Sequence, residues 1–109
     1  MNNPLTNIVQ DWIQPLSNVI DFGCGDGSLL QELREHKQTI GYGIEIDPEG
    51  IVSCLKKNIP VIEKNIDDGI DEFSECSFDV AIMASSIQCL KEPNVALDKI
   101  LNLSNKCIV

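Results

Sequence analysis

The stretch Val19-Ile-Asp-Phe-Gly-Cys-Gly-Asp-Gly27 runs from an apolar segment straight into three glycines that alternate with Cys24 and Asp26. Ser28 to Lys37 follow, with Leu29, Leu30 and Leu33 recurring on one helical face. The reading is strand, tight turn, helix. Glycines let a backbone turn sharply and approach a ligand closely, and the next helix offers its free N–H groups to the same place. Many nucleotide-binding proteins share such a turn, so two further details matter. The glycines are spaced G-x-G-x-G, whereas dinucleotide binders use G-x-G-x-x-G. Asp21 stands just ahead of Gly23, where a carboxylate repels a pyrophosphate and favours a ligand carrying a cationic amino group. Opposite charges about 4 Å apart gain roughly 1–4 kcal/mol, and the sign of that term separates the two kinds of ligand.

Outward from this turn, the chain alternates. Ile40 to Ile46 reads as a second strand, and Asp47-Pro48-Glu49 as a helix start with a cap, a proline at the first helical position and an acid at the positive dipole end. That helix runs to Lys57, with Ile51, Val52 and Leu55 as its apolar stripe. Pro60 to Glu63 gives a third strand, Asp67 to Phe73 a short acidic helical segment, and Phe78 to Ala84 a fourth strand. Pro93 to Leu103 forms a helix with Ala96, Leu97, Ile100 and Leu101 inward, and Cys107-Ile-Val109 begins a fifth strand. Upstream, Leu5, Ile8, Val9, Trp12 and Ile13 share one face of a helix that Pro15 stops, with Trp12 expected in the core or, alternatively, leaning over the ligand mouth.

Alternation of this kind predicts an α/β fold with a doubly wound, mainly parallel sheet of five strands, in a single domain spanning 1–109. Ligands of such sheets sit outside the carboxyl ends of the strands. The rim therefore collects Asp21–Gly27, Glu45–Asp47, Asn65–Ile66 and Ala84–Ser86. The chain stops inside an apolar strand, which would leave an exposed pairing edge. The expectation is the N-terminal part of a longer domain whose C-terminal strands are missing. The alternative is a short protein whose last strand a partner shields.

Net charge is −9, and the eight basic residues are scattered, so no cluster exists to neutralise nucleic-acid phosphates. No apolar run approaches the roughly 20 residues that span a bilayer. The N-terminus lacks a basic region followed by an apolar one, so no signal peptide is expected and the cytoplasm is the default compartment. The five cysteines are widely spaced without a C-x-x-C pair, and His36 is the only histidine. No metal site is expected, and the cysteines read as reduced, buried small hydrophobes.

Along the rim, Glu45 can accept hydrogen bonds from both ribose hydroxyls of an adenosine. Asn65 and the Ile66 backbone can read an adenine edge between Ile46 and Ile66 as apolar walls, although a plain turn explains the segment nearly as well. Ala84, Ser85 and Ser86 are small enough for a ligand to lie close; a turn or cap accounts for the serines equally. The cofactor-binding set is thus Asp21, Phe22, Gly23, Cys24, Gly25, Gly27, Glu45, Ile46, Asn65, Ile66 and Ala84. Asp79 reads as a turn or edge carboxylate, Cys89 as packing and His36 as a partner of the helix dipole. No catalytic residue emerges.

The runs Asp11-Trp-Ile13, Val19–Gly27 with Leu29-Leu30, Gly41-Tyr-Gly-Ile-Glu-Ile-Asp47, Val61-Ile62, Asp67-Asp-Gly-Ile70, Ser77-Phe-Asp79 and Gln88 resemble the class I (Rossmann-like) S-adenosylmethionine (SAM)-dependent methyltransferase superfamily. Within it, Gly41–Asp47 and Asp11–Ile13 resemble the methionine biosynthesis protein MetW family. The resemblance implies a seven-stranded sheet of which this chain supplies five, in the order 3-2-1-4-5, a loop carrying the methionine part of SAM, Glu45 on the ribose and Asn65 at the adenine. The superfamily usually has Asp at the position of Asn65, so affinity is expected to be lower. It also implies a link to homoserine O-acyltransferases in methionine synthesis.

Three functions follow as expectations. The first is methyl transfer from SAM to a small molecule, with positioning supplying much of the rate. The second is a non-catalytic SAM-sensing subunit of a homoserine O-acyltransferase. The third, a dinucleotide-dependent oxidoreductase, is disfavoured by Asp21 and the glycine spacing. No Asn/Asp-Pro-Pro-aromatic segment follows the fourth strand, so methylation of a nucleobase amine is not expected.

Overall fold

Asn18–Phe22 (β1) is flanked on both sides by parallel strands, and its last four residues are buried, as expected for a strand covered on both faces. The computed structural model describes residues 11–65, 78–83, 94, 98 and 100, and the backbone of 104–108. Ile40–Glu45 (β2), Val61–Glu63 (β3), Phe78–Ile82 (β4) and Ser104–Ile108 (β5) complete a five-stranded parallel sheet in the order β3-β2-β1-β4-β5. This is the order that the family resemblance implied, and the fold is α/β. The fifth strand starts earlier than its apolar residues suggested, because backbone pairing with Phe78 and Val80 extends it to Ser104.

Ser28–Lys37 (α1) and Pro48–Lys56 (α2) connect β1 to β2 and β2 to β3. Val19, Leu30, Leu33, Cys54, Ile59, Val80 and Ile82 form one core cluster, with Ile13 joining from the upstream segment. Ile20, Phe22, Ile44, Ala81, Met83 and Ile100 are also fully buried. α2 begins as its sequence predicts, with Asp47 as cap, its carboxylate accepting the Glu49 N–H at 3.4 Å, and Pro48 in the first turn. Its C-terminus is closed from outside: Arg34 of α1 donates to the Lys57 and Asn58 carbonyls at 2.9 and 3.0 Å, groups that a helix end leaves without internal partners.

Two packing expectations are corrected. Val52 and Leu55 are 49% and 59% exposed, and α2 turns Gly50 and Cys54 inward instead. Small residues face in because the helix lies almost against the glycine turn, where a Leu would not fit. Trp12 is 54% exposed, because the helix ends at that point and a bend follows at Ile13, which takes the core position. The Asp67–Phe73 segment, Ser85, Ser86, Cys89 and most of the Pro93–Leu103 helix lie outside the described residues. Among the described residues, no helix is long and apolar enough to cross a membrane.

Candidate functional site

The turn Gly23–Gly27 leaves β1 at the carboxyl edge of the sheet and feeds α1. Gly23, Gly25 and Gly27 all have positive φ (79°, 60° and 81°), so the alternation noted in sequence is an alternation of left-handed backbone. Gly27 is additionally crowded: a Cβ there would sit 2.9 Å from Cys54 Sγ. The Gly23 and Cys24 N–H groups both donate to the Ile44 carbonyl, at 2.8 and 3.1 Å, which pins the first half of the turn to β2. Gly27 N–H closes the turn on the Cys24 carbonyl at 3.1 Å.

Glu45, at the end of β2, holds the centre. Its Oε1 accepts the Gly25 N–H at 2.7 Å, and its Oε2 accepts those of Ile46 and Asp47, both at 3.0 Å. Burial acts to raise its pKa, but these three donors outweigh it and hold the carboxyl below its usual range. A carboxylate offers about four lone-pair sites, and three are taken here. A ribose therefore meets one remaining site on Oε1, or else displaces the Gly25 N–H.

Asp21 lies beneath the turn, 4% exposed, flanked across the sheet by Gly43 and Ile82. No hydrogen bond reaches its carboxylate among the described residues; its environment consists of burial and the Glu45 charge, which push its pKa from 3.8 to about 7. A buried acid with no cationic partner is costly to ionise. A cation delivered to it removes that cost.

Cys24 and Cys54 meet behind the turn, Sγ to Sγ 3.7 Å, and both point at the Gly25 carbonyl, at 3.8 and 3.4 Å. Both are free and buried, and burial pushes both thiols up. They act as packing, as expected of reduced small hydrophobes.

On the far side of the turn, Asp26 Oδ1 accepts the Ser28 N–H at 2.9 Å and so serves the first turn of α1. Gln31 N–H is the first to bond back, to the Gly27 carbonyl at 2.9 Å. The N–H groups of Leu29 and Leu30 have no acceptor among the described residues, the ordinary condition of a helix start and a place where anions bind.

The structure thus brings Asp21, Gly23, Cys24, Gly25, Gly27, Glu45 and Ile46 together at one edge. Ile46 is 56% exposed and available as an apolar wall. Phe22 differs from the rest: its side chain is fully buried in the core. Asn65 is exposed just past β3, beyond Lys64, whose N–H bonds to the Glu45 carbonyl at 3.1 Å. Ile66 and Ala84 lie outside the described residues. His36 pairs with Glu32 at 3.2 Å on the outside of α1, and Asp79 accepts the Asn18 N–H at 2.8 Å, so neither enters the site. Among the described residues, no group of three or more His, Cys, Asp or Glu could hold a metal ion.

Sequence reasoning missed Gly50 and Lys57. A Cβ on Gly50 would lie 2.7 Å from the Gly25 carbonyl oxygen, so α2 presses directly on the turn. The signal was there: a glycine inside a helical pattern costs about 1 kcal/mol against Ala and marks a close approach. Lys57 Nζ reaches the Asp26 carbonyl at 2.8 Å across 31 residues of sequence, and no local pattern announces that contact.

A five-stranded parallel sheet in this order, with a glycine turn after β1 and an acid at the end of β2, is a Rossmann-like arrangement, and it is the fold of SAM-dependent methyltransferases of known structure. A TehB-like SAM-dependent methyltransferase from Corynebacterium glutamicum superposes with a TM-score of 0.76 at 19% identity, over 91% of this chain and 55% of that one. The plantazolicin methyltransferase BamL, solved in complex with a triazolic desmethylPZN analogue and SAH, gives 0.73 at 23% identity, over 92% of this chain and 38% of that one. Within that class, the family model for the methionine biosynthesis protein MetW matches residues 4–109, and the chain belongs to this family. A bifunctional methionine biosynthesis protein MetXA/MetW from Rhodopirellula baltica is 27% identical over 101 residues, 85% of this chain and 16% of that protein. The chain therefore spans well under two thirds of the length of these relatives.

Proposed function

We propose that this chain holds SAM at the edge formed by Asp21, the Gly23–Gly27 turn and Glu45, and acts with it in methionine biosynthesis. The observation that carries this reading is the buried Asp21 carboxylate beneath the turn, which has no cationic partner among the described residues. A phosphate there would meet repulsion from Asp21 and Glu45 together. An α-ammonium would discharge Asp21, while the attached carboxylate suits the N–H groups at the start of α1. The residues present therefore fit the methionine portion of the group.

Each residue has a stated part in this reading. Asp21 takes the ammonium. Leu29 and Leu30 N–H groups meet the carboxylate. Glu45 accepts one ribose hydroxyl on its remaining Oε1 site, and Ile46 and Asn65 flank the base, with Ile66 and Ala84 as further wall positions. When bound, SAM supplies a methyl group on a positively charged sulfur, open to direct displacement by a small-molecule acceptor. The chain contributes position and exclusion of water, and no general base is assigned.

The test is a thermal-denaturation series with SAM and with NAD. SAM is expected to raise the melting temperature and NAD to leave it unchanged. A rise with NAD alone would falsify the reading.

The MetXA/MetW pairing in one bifunctional relative favours a second reading, in which SAM occupancy on this chain regulates a homoserine O-acyltransferase. Co-purification of such an acyltransferase, with its rate responding to SAM and no methylated product in radiolabel assays, supports this second reading over methyl transfer. A methylated small molecule with no acyltransferase bound supports the first.

A further inference from the structure

We infer that Lys57 is a positioning residue for the glycine turn, setting the ligand-facing start of α1 through Asp26 and Ser28; this rests on the SAM reading above. Lys57 is the C-terminal cap of α2. Its ammonium donates to the Asp26 carbonyl at 2.8 Å and to Ser28 Oγ at 3.4 Å, and lies 3.6 Å from Asp26 Oδ2. The lysine side chain is 25% exposed and that of Asp26 59%, so the stem is packed and the charged head alone reaches the turn.

Stability does not account for this arrangement. A largely exposed ion pair contributes little, and a cation beside a helix N-terminus opposes the helix dipole. What the contact does is fix a shape. With its carbonyl held from behind, Asp26 presents Oδ1 to the Ser28 N–H at 2.9 Å, and the bonds to Ser28 hold its carboxyl below the usual range. Asp26 thus offers its carbonyl and, at longer range, Oδ2 to Lys57, and its Oδ1 to the start of α1. The next N–H groups, those of Leu29 and Leu30, are the ones left for a ligand.

The turn is held from α2 at two successive carbonyls, Gly25 by Cys54 and Asp26 by Lys57. The thiol bond is weak and long. The lysine bond is charge-assisted and short, so Lys57 is the stronger of the two holds.

The experiment compares Lys57→Met and Lys57→Arg with the unchanged chain by SAM calorimetry, melting temperature without ligand, and amide hydrogen exchange across Gly25–Leu30. Lys57→Met keeps the stem and removes the charge. It is expected to weaken SAM binding by about tenfold, the loss of one charge-assisted bond, and to speed exchange in the turn while barely moving the melting temperature. Lys57→Arg is expected to bind within about threefold of the unchanged chain. The inference is overturned if Lys57→Met matches the unchanged chain in affinity and exchange, or if both variants lose affinity in step with melting temperature. If the unchanged chain binds no SAM, the functional reading fails, and exchange alone then decides on Lys57: faster exchange in Lys57→Met supports the clamp, and equal exchange overturns it.

Discussion

Glu45 Oε1 accepts the Gly25 backbone N–H at 2.7 Å, joining the end of β2 to the middle of the glycine turn. The acid read from sequence as a ribose acceptor is therefore also part of the framework that shapes the turn. Replacing it removes the acceptor for three N–H groups at once. Glu45→Ala is expected to weaken SAM binding by about tenfold to a hundredfold, given about 1.5–3 kcal/mol for hydrogen bonds to a charged group. It is also expected to lower the melting temperature. Calorimetry with a parallel melting curve checks both, and an unchanged dissociation constant removes Glu45 from the site.

Asp21 makes the ligand-free protein sensitive to pH. Its folded pKa of about 7 lies above the ordinary 3.8, so its contribution is fully present below pH 4 and is lost as pH rises through 7. The loss approaches about 4 kcal/mol at high pH, at 1.36 kcal/mol per unit. Asp21→Asn carries no charge to desolvate. It is expected to stabilise the ligand-free chain at pH 8 and to leave it unchanged at pH 4. Melting curves from pH 4 to 9 test this, and an equal effect at both ends counts against the buried acid.

The same group gives ligand binding a pH profile of opposite slope. An ammonium needs Asp21 ionised, so SAM affinity is expected to rise between pH 6 and 7.5 and to fall again once the ligand amine, near pKa 8, loses its proton. Below pH 7, binding should release a proton, visible as a buffer-dependent heat in calorimetry. Asp21→Asn should bind weakly and without the rising limb. A flat profile for the unchanged chain sinks the ammonium assignment.

Gly50→Ala sets two effects against each other. Helix propensity alone favours Ala by about 1 kcal/mol. The new Cβ, however, would lie 2.7 Å from the Gly25 carbonyl oxygen, a backbone atom that cannot swing aside. Overpacking of this kind costs about 1–3 kcal/mol. The variant is expected to be less stable and to bind SAM more weakly, measured by chemical denaturation and calorimetry. A gain in stability would show that the turn yields easily.

The buried thiols of Cys24 and Cys54, both pushed up in pKa, are expected to resist alkylation by iodoacetamide at pH 8 in the folded chain and to react on unfolding. Mass spectrometry of the peptides checks this, and rapid labelling of either one in the native state contradicts the packing described.

The alternation of strands and helices and the frame of the glycine turn were legible in sequence, because each rests on short-range signals; strand order, which pairs Val19 with Val80, was legible only through the family resemblance. The Asp21–Gly27 run carries its own strand end, turn and helix start, and Asp47-Pro48 carries a cap. The inward face of α2 was misread for a physical reason. Apolar periodicity reports burial only where large side chains face the core, and α2 instead buries Gly50 and Cys54 to approach the turn. Trp12 was misread because a helix end exposes residues that a continued helix would cover. The Lys57 contact is long-range, and the engagement of Glu45 by three backbone donors depends on angles that residue types do not encode.

Arg34 leaves α1 to grasp the Lys57 and Asn58 carbonyls, and Lys57 in turn grasps the segment from which α1 departs. Head and tail of one helix are thereby tethered to the same few residues of its neighbour. Rolling or sliding either helix alone strains a polar bond to the other, so a change at the exposed Asn58 end bears on the glycine turn at the opposite end.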